Sequence, residues 1–244
     1  MLLRRVMEHV RTQNWTAVAL DFVIVVAGIL IAFQITEWNG ARQNLAKERV
    51  YLTRLDSEMT VILDRLETGI EVARQSSEST AFLISLAQTA NAGILEYHDP
   101  DQIRQALRNL RAGRVPSGSP AAFRQMISNG ELTLLRNEDL RDALFAYDEF
   151  ATIARDVWRG GWQELLLGYQ SIAPSFDARV DFSNPVSETY VITDFNIDKL
   201  TTDESVEAGL KLILGAKANH YEILRIQLTL ARDIETLVAE ELAR

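Results

Sequence analysis

The chain has 244 residues, with 25 basic and 34 acidic side chains, a formal net charge of −9 and no cysteine. The lack of cysteine excludes disulfides, thiol nucleophiles and thiolate metal sites. An acidic chain without a basic stripe argues against nucleic acid as a partner and against docking flat on anionic lipid.

The first predicted element is a membrane-length apolar segment at residues 16–35, with Trp15 and Trp38 at its ends. About 20 mainly apolar residues span a hydrocarbon core of about 30 Å, and tryptophan favours the headgroup level. The segment is longer than the apolar core of a signal peptide, and no small-residue cleavage pattern follows it. We therefore expect residues 15–38 to form an uncleaved transmembrane helix in the lipid bilayer.

The positive charges on the two sides of this segment are nearly balanced. They are Arg4, Arg5 and Arg11 before it, and Arg42, Lys47, Arg49 and Arg54 after it. A short basic tail ahead of a large domain usually stays in the cytoplasm. We expect residues 1–14 to be a short cytoplasmic tail and the main domain to be extracytoplasmic.

One face of the predicted membrane helix carries Ala17, Asp21, Gly28 and Ala32. Gly28 and Ala32 form a small-xxx-small pair that permits close helix approach. Asp21 lies about 9 Å inside the Trp15 level, and an ionised carboxylate facing lipid there costs about 2–3 kcal/mol. Either this membrane-helix packing face binds other membrane helices, in a homo- or hetero-oligomer that supplies a donor or cation to Asp21, or Asp21 is protonated or hydrated near the interface.

The remainder, residues 39–244, is predicted to be one helical domain, so the fold class is all-α with an antiparallel, bundle-like arrangement. Apolar residues spaced alternately by three and four, from Leu52 to Ala73, predict that the membrane helix continues as one long helix to about Leu86, with a weak point at Gly69.

The other predicted helices are recognised by their ends, which carry capping side chains, proline or glycine. The first is opened by Asp99 and Pro100, and after a loop at 114–120 the second is capped by Ser119 and closed by Gly130. The third is opened by Asn137 and breaks or kinks at Gly160 and Gly161. An irregular segment follows at about 174–200, with strand character only at 190–193, and the last helix begins at about Asp203.

Residues 23–42 (VIVVAGILIAFQITEWNGAR), with Asp21 before them, resemble an uncharacterised family of bacterial single-span membrane proteins. That family carries an acid, a G-I-L-I-A-x-Q run, then W-N and a basic residue; this chain has Gly40 where the family often has an acid. A second, moderate match falls at 123–147. The resemblance implies attachment to the bacterial inner (cytoplasmic) membrane and a helical architecture, and it supplies no activity.

The sequence contains no recognisable catalytic, cofactor-binding or metal-binding motif. His9, His98 and His220 lie far apart, and neither a zinc-protease, a P-loop nor a nucleophile-elbow pattern occurs. His98, Asp99 and Asp101 offer potential metal ligands, but a helix cap explains the same residues and is the interpretation we prefer. We therefore expect that the protein is not an enzyme and binds no cofactor.

The least ordinary soluble segment is Trp158-Arg159-Gly160-Gly161-Trp162, with Tyr169 beyond it. Tryptophans four positions apart share a helix face if the helix survives the glycines. As a candidate ligand or partner patch, Trp158, Trp162 and Tyr169 would line a pocket, contact a partner or lie at the membrane surface. Alternatively, they fill the bundle core at a kink.

The leading functional expectation is a membrane-anchored interaction or accessory (scaffold) protein without catalysis, which packs its membrane helix against partner helices and presents a helical domain. The alternative is a ligand-sensing helical domain that signals through a partner chain. A closed apolar cavity with convergent polar groups around Trp158 and Trp162 would favour sensing. An extended exposed apolar face would favour assembly.

Overall fold

The computed structural model describes residues 15–91, 99–181, 183 and 189–244. The predicted tail at 1–14 lies outside them. The described residues form six α-helices and one two-stranded antiparallel sheet: α1 (Trp15–Asn91), α2 (Pro100–Asn109), α3 (Ala121–Asn129), α4 (Glu138–Ile172), β1 (Phe176–Asp181), β2 (Thr189–Phe195), α5 (Ile197–Thr202) and α6 (Glu204–Ala243). Short 3-10 turns lie at Leu132–Leu134 and Ala173–Ser175. The predicted helical class is confirmed.

The chain divides into two compact units, Met1–Val50 and Tyr51–Arg244. Among the described residues of the first unit, α1 provides the one helical stretch long and apolar enough to cross a membrane, with a mean hydropathy of 2.3 and no burial within the chain. The predicted apolar helix near the N-terminus is therefore present, by length and composition. The prediction of one continuous helix is also confirmed, since α1 runs without interruption to Asn91.

The second unit contains two separate apolar clusters. The first combines α1, α3, the first half of α4 and the second half of α6, and its largest buried members include Leu55, Met59, Leu66, Phe123, Met126, Leu140, Leu144, Tyr147, Leu224 and Ile234. The second combines the end of α1, α2, the second half of α4, β2, α5 and the first half of α6, through Leu83, Leu107, Leu110, Leu165, Ile172, Ile192, Leu200, Leu210 and Ile213. Helices α4 and α6 contribute to both clusters.

Helices α4 and α6 approach most closely at Gly168 and Gly209, both of which are buried. A Cβ placed on either glycine would lie 2.6 Å from the carbonyl oxygen of the other. Only a residue without a side chain fits such a contact. These two glycines therefore set the spacing of the central helix pair.

The predicted break at Gly160 and Gly161 does not occur, because α4 is continuous from Glu138 to Ile172. A glycine inside a helix costs only about 1 kcal/mol relative to alanine. The burial of Ala154, before the glycines, and Leu165, after them, anchors α4 on both sides. The packing of α4 on α6 therefore outweighs the low helix propensity of the two glycines.

Most predicted helix ends are confirmed, and one is wrong. The side chain of Asp99 accepts a hydrogen bond from Asp101 N, that of Asn137 accepts one from Leu140 N, and Gly130 closes α3 with a φ of 68°. Ser119 does not cap α3, because its hydroxyl donates to the carboxylate of Asp148. The carboxylate of Glu58, on α1, accepts the hydrogen bond from Ala122 N instead, at 2.9 Å.

The segment expected to be irregular instead forms a β-hairpin and a short helix. Strand β1 pairs with β2 from Phe176–Phe195 to Asp181–Thr189, with a register shift between Asp177 and Ala178. The guanidinium of Arg104, on α2, lies 5.6 Å from the ring centre of Phe195, and that of Arg111 lies 4.8 Å from the ring centre of Tyr190. Attraction between cations and ring faces holds the hairpin on α2, a tertiary effect that local sequence does not reveal.

Replacing Gly168 by alanine is expected to destabilise the domain by about 1–3 kcal/mol, because the new methyl group forces α4 away from the backbone of Gly209. The measurement is denaturant unfolding of the detergent-solubilised full chain, followed by circular dichroism. Gly160→Ala is the matched control on the same helix: nothing lies within 4 Å of its added Cβ, so it should be neutral or stabilising. Equal effects of the two substitutions would contradict the close contact.

Candidate functional site

Trp158 and Trp162 share one face of α4, as predicted for a helix that survives the glycines. Their ring centres are 5.9 Å apart. Trp158 is half-buried, whereas Trp162 is 40% exposed. Neither ring belongs to the two apolar clusters. Both face α6, where the structure places polar residues.

Helix α6 buries three polar side chains among its apolar ones. Lys217 is 1% exposed, His220 is 5% exposed and Gln227 is fully buried. We call these three residues the polar layer. Their spacing of three and seven positions places them on the core-facing side of α6, in line with Ile213 before them and Ala231 after them. The sequence signal was present, as polar residues at core positions of an otherwise apolar stripe, but it did not enter the sequence prediction.

The polar layer holds the loop at residues 111–120 by its backbone. The ammonium of Lys217 donates to the carbonyl oxygen of Ala112. The side-chain amide of Gln227 donates to the carbonyl oxygen of Ser117 and accepts from its N–H. A Cβ on Gly113 would lie 2.8 Å from the Trp158 ring, so the loop backbone packs directly on the indole. The loop backbone is therefore anchored on the domain interior, while Arg111, Arg114, Val115 and Gly118 remain exposed.

His220 is the least satisfied member of the polar layer. Its ring centre is 4.2 Å from that of Trp158. Neither ring nitrogen forms a hydrogen bond of standard geometry with the described residues, although the backbone of Arg114 interacts with the ring. Burial, assisted by the charge of Lys217, lowers the pKa of His220 from 6.5 to about 4, and the interaction with the Arg114 backbone acts in the opposite direction. At neutral pH the ring is uncharged, with one donor and one acceptor to offer.

Lys217 carries a charge without an acidic partner. Burial lowers the pKa of Lys217 from 10.5 to about 8, which leaves it mainly protonated at neutral pH. Among the ion pairs of the described residues none involves Lys217, although Lys211, six positions before it on the same helix, pairs with Glu207 at 2.6 Å. A backbone carbonyl satisfies a donor but does not neutralise a buried charge. The site therefore favours an anion.

A crevice opens where the tryptophans meet the polar layer. It is lined by Trp158, Trp162, Leu165, Lys217, His220 and Ile223, among others. The free space including its mouth is about 330 Å³, while the part open to a water-sized sphere is about 10 Å³. A cavity of that enclosed size holds about one water molecule. The exposed ring of Trp162 and the side chain of Asn219 stand at the mouth.

Tyr169 does not join the tryptophan pair. Its hydroxyl is 2.7 Å from that of Tyr190, on β2, and the guanidinium of Arg111 lies 5.7 Å from its ring centre. Burial, followed by the hydrogen bond to Tyr190, raises the pKa of Tyr169. The predicted patch thus separates into a crevice at Trp158 and Trp162 and a hairpin anchor at Tyr169.

The predicted membrane-helix packing face lies on α1. Asp21, Gly28 and Ala32 are exposed, and a Cβ on Gly28 would meet nothing within 4 Å. Ala17 and Trp15 lie within α1, but their side chains are outside the described part. Trp38 is 68% exposed. Within the chain, therefore, this face is open from Asp21 to Ala32.

No cluster of three or more histidine or carboxylate side chains that could hold a metal occurs in the described part of the chain. Asp99 serves as a helix cap, whereas His98 lies outside the described residues.

Compared with protein-family models, curated proteins and solved structures, the chain matches none. The resemblance of residues 23–42 to bacterial single-span proteins therefore stays a proposal. Two features of the chain bear on its function, the open face of α1 and the crevice beside the polar layer.

Acidification is expected to destabilise the domain through His220. An unfolded histidine binds a proton near pH 6.5, whereas the buried ring resists protonation down to about pH 4. Its contribution to stability is therefore complete above pH 6.5 and is lost as the pH falls between these values, by up to about 3 kcal/mol.

The substitution His220→Phe removes this titration while keeping a ring against Trp158. Denaturant unfolding of the full chain in detergent at pH 7 and pH 4.5 should show a smaller loss of stability for the variant than for the original protein. The carboxylates titrate equally in both proteins, so the difference isolates the imidazole. Parallel losses would show that the histidine is not buried in its neutral form.

Proposed function

We propose that this protein is a single-span, membrane-anchored interaction or accessory protein of the bacterial inner membrane. It packs its membrane helix against partner helices and presents the helical domain on the extracytoplasmic side, without catalysis of its own. The observation that carries the proposal is the open face of α1 formed by Asp21, Gly28 and Ala32.

The chemistry of this face fits a helix partner better than lipid. Asp21 is the only charged residue between Trp15 and Glu37. A carboxylate within the apolar part of a membrane is costly unless a neighbouring helix supplies a donor or a cation. Gly28 and Ala32, on the same side, let another backbone approach closely enough to do so. The partner is either a second copy of this chain or another membrane protein.

The charge distribution supports a domain that stands clear of the lipid surface. The first 39 residues contain three basic and three acidic side chains, so the remaining residues carry the whole net charge of −9. A negative domain is not attracted to anionic headgroups. A protein partner is therefore the better fit for the domain as well.

A second candidate function is ligand sensing, and the crevice beside the polar layer favours it. Buried, incompletely satisfied polar groups in a concave site are a common mark of a binding site. Trp158 and Trp162 provide apolar walls, and Lys217 and His220 are polar members of the lining. Such a domain would pass its signal to a partner chain through the membrane helix.

The substitutions Asp21→Asn and Gly28→Leu should each weaken assembly in the membrane and leave the domain folded. The first removes the charge that a partner neutralises, and the second blocks close approach. The measurement is gentle detergent extraction of the tagged protein, followed by the mass of the complex and identification of co-purifying chains. Leu30→Val, two positions from Gly28 and on the opposite side of the helix, is the matched control and should change nothing.

A stoichiometric partner, or a dimer, that is lost in both variants but retained in the control would support the proposal. A complex indifferent to both substitutions, or a monomer in every case, would remove the reason for assigning this face. Circular dichroism of each variant distinguishes lost assembly from lost folding.

A further inference from the structure

We propose that the crevice between α4 and α6 binds a small organic monocarboxylate with a flat apolar body. The carboxylate would contact Lys217 and His220, and the body would lie against Trp158 and Trp162. This inference rests on the second candidate function and gives it a ligand class. It does not depend on how the membrane helix assembles.

The buried charge of Lys217 favours an anionic ligand. Lys217 is 1% exposed, and its hydrogen bond to the carbonyl oxygen of Ala112 uses one of three ammonium donors. No acidic side chain among the described residues forms an ion pair with it. A buried ammonium is stabilised when an anion approaches within hydrogen-bond distance. A carboxylate provides both the charge and the acceptor.

His220 can form further hydrogen bonds with a ligand. The side chain is only 5% exposed, and neither ring nitrogen forms a hydrogen bond of standard geometry with the described residues, since the backbone interaction with Arg114 falls short of it. An uncharged imidazole donates one hydrogen bond and accepts another. His220 follows Lys217 by three positions on one helix face, so both can serve one carboxylate group.

The apolar side of the crevice favours a ligand with a flat apolar body. Trp158 and Trp162 lie side by side, and Leu165 and Ile223 complete the lining. Aromatic side chains bind flat apolar groups through their ring faces. A phosphate dianion has no apolar body to place here and needs more donors than one lysine and one neutral histidine. A cation would be repelled by Lys217.

The mouth of the crevice limits the size of the ligand. The enclosed space admits only a water-sized sphere, so a ligand enters when the exposed Trp162 ring turns outward. Gly160 and Gly161 precede this ring, and a Cβ on either would meet nothing within 4 Å. The glycine pair therefore leaves the ring free space in which to move. A single ring or a short chain is the size that such a movement admits.

The test uses the full chain in detergent, with benzoate and phenylacetate as probes and benzamide and benzyl alcohol as their uncharged counterparts. Binding is measured by isothermal titration calorimetry and by the fluorescence of the tryptophans. The carboxylates should bind saturably, about tenfold to a hundredfold more tightly than the neutral compounds, which is the usual worth of a charge-assisted hydrogen bond.

Lys217→Met should reduce carboxylate affinity by a similar factor, while Lys211→Met, on the exposed side of the same helix, should not. Removing a buried charge is compatible with a stable fold, and circular dichroism verifies it. Lys217→Gln keeps a donor for Ala112 without the charge and provides a second variant should methionine disturb the loop.

Three results would overturn the inference: no saturable binding of either carboxylate, equal binding of the neutral compounds, or unchanged affinity in the folded Lys217 variants. None of them affects the assembly experiment on Asp21 and Gly28. Conversely, an unassembled protein that still binds benzoate through Lys217 would separate ligand binding from the proposed accessory function.

Discussion

The pairing of α4 with α6 is the constraint on which the rest of the domain depends. Gly168 and Gly209 bring the two backbones together, and both apolar clusters draw residues from these two helices, as they also do from α1. Because the helices run antiparallel, Trp158 comes to lie opposite His220, and Asn137 reaches Glu241 with a hydrogen bond of 2.8 Å. The spacing at the glycines thus determines the geometry of the crevice.

The polar layer is unusual because it places polar side chains at core-facing positions of α6. Lys217 and His220 lie on α6 between Ile213 of the second cluster and Leu224 of the first, whereas Gln227 lies within the first cluster. The side-chain amide of Gln227 offsets the cost of its burial by hydrogen bonds with the N–H and the carbonyl oxygen of Ser117. Lys217 and His220 are satisfied only in part, and incomplete satisfaction of buried groups in a native protein calls for an explanation. A ligand that completes their contacts is one such explanation.

The helical class, the membrane-length segment and most helix ends followed from the sequence, because periodicity and capping side chains act over a few residues. Three features did not. Glu58 caps α3 in place of Ser119, and Arg111 fixes a hairpin in a segment that reads as irregular. The crevice was anticipated only on the side of Trp158, since its other wall is 58 to 65 positions away on α6. Contacts between distant residues determine all three, and a single sequence does not disclose them.

The position of α6 in the chain has a consequence for biosynthesis. Both apolar clusters contain residues of α6, which begins at Glu204, whereas the apolar segment ends near Trp38. At about 5–20 residues per second, the ribosome needs roughly 10–30 s to make the residues between them. During that interval the nascent chain has neither cluster complete. Insertion of the apolar segment into a membrane, as proposed above, would therefore precede the completion of either cluster.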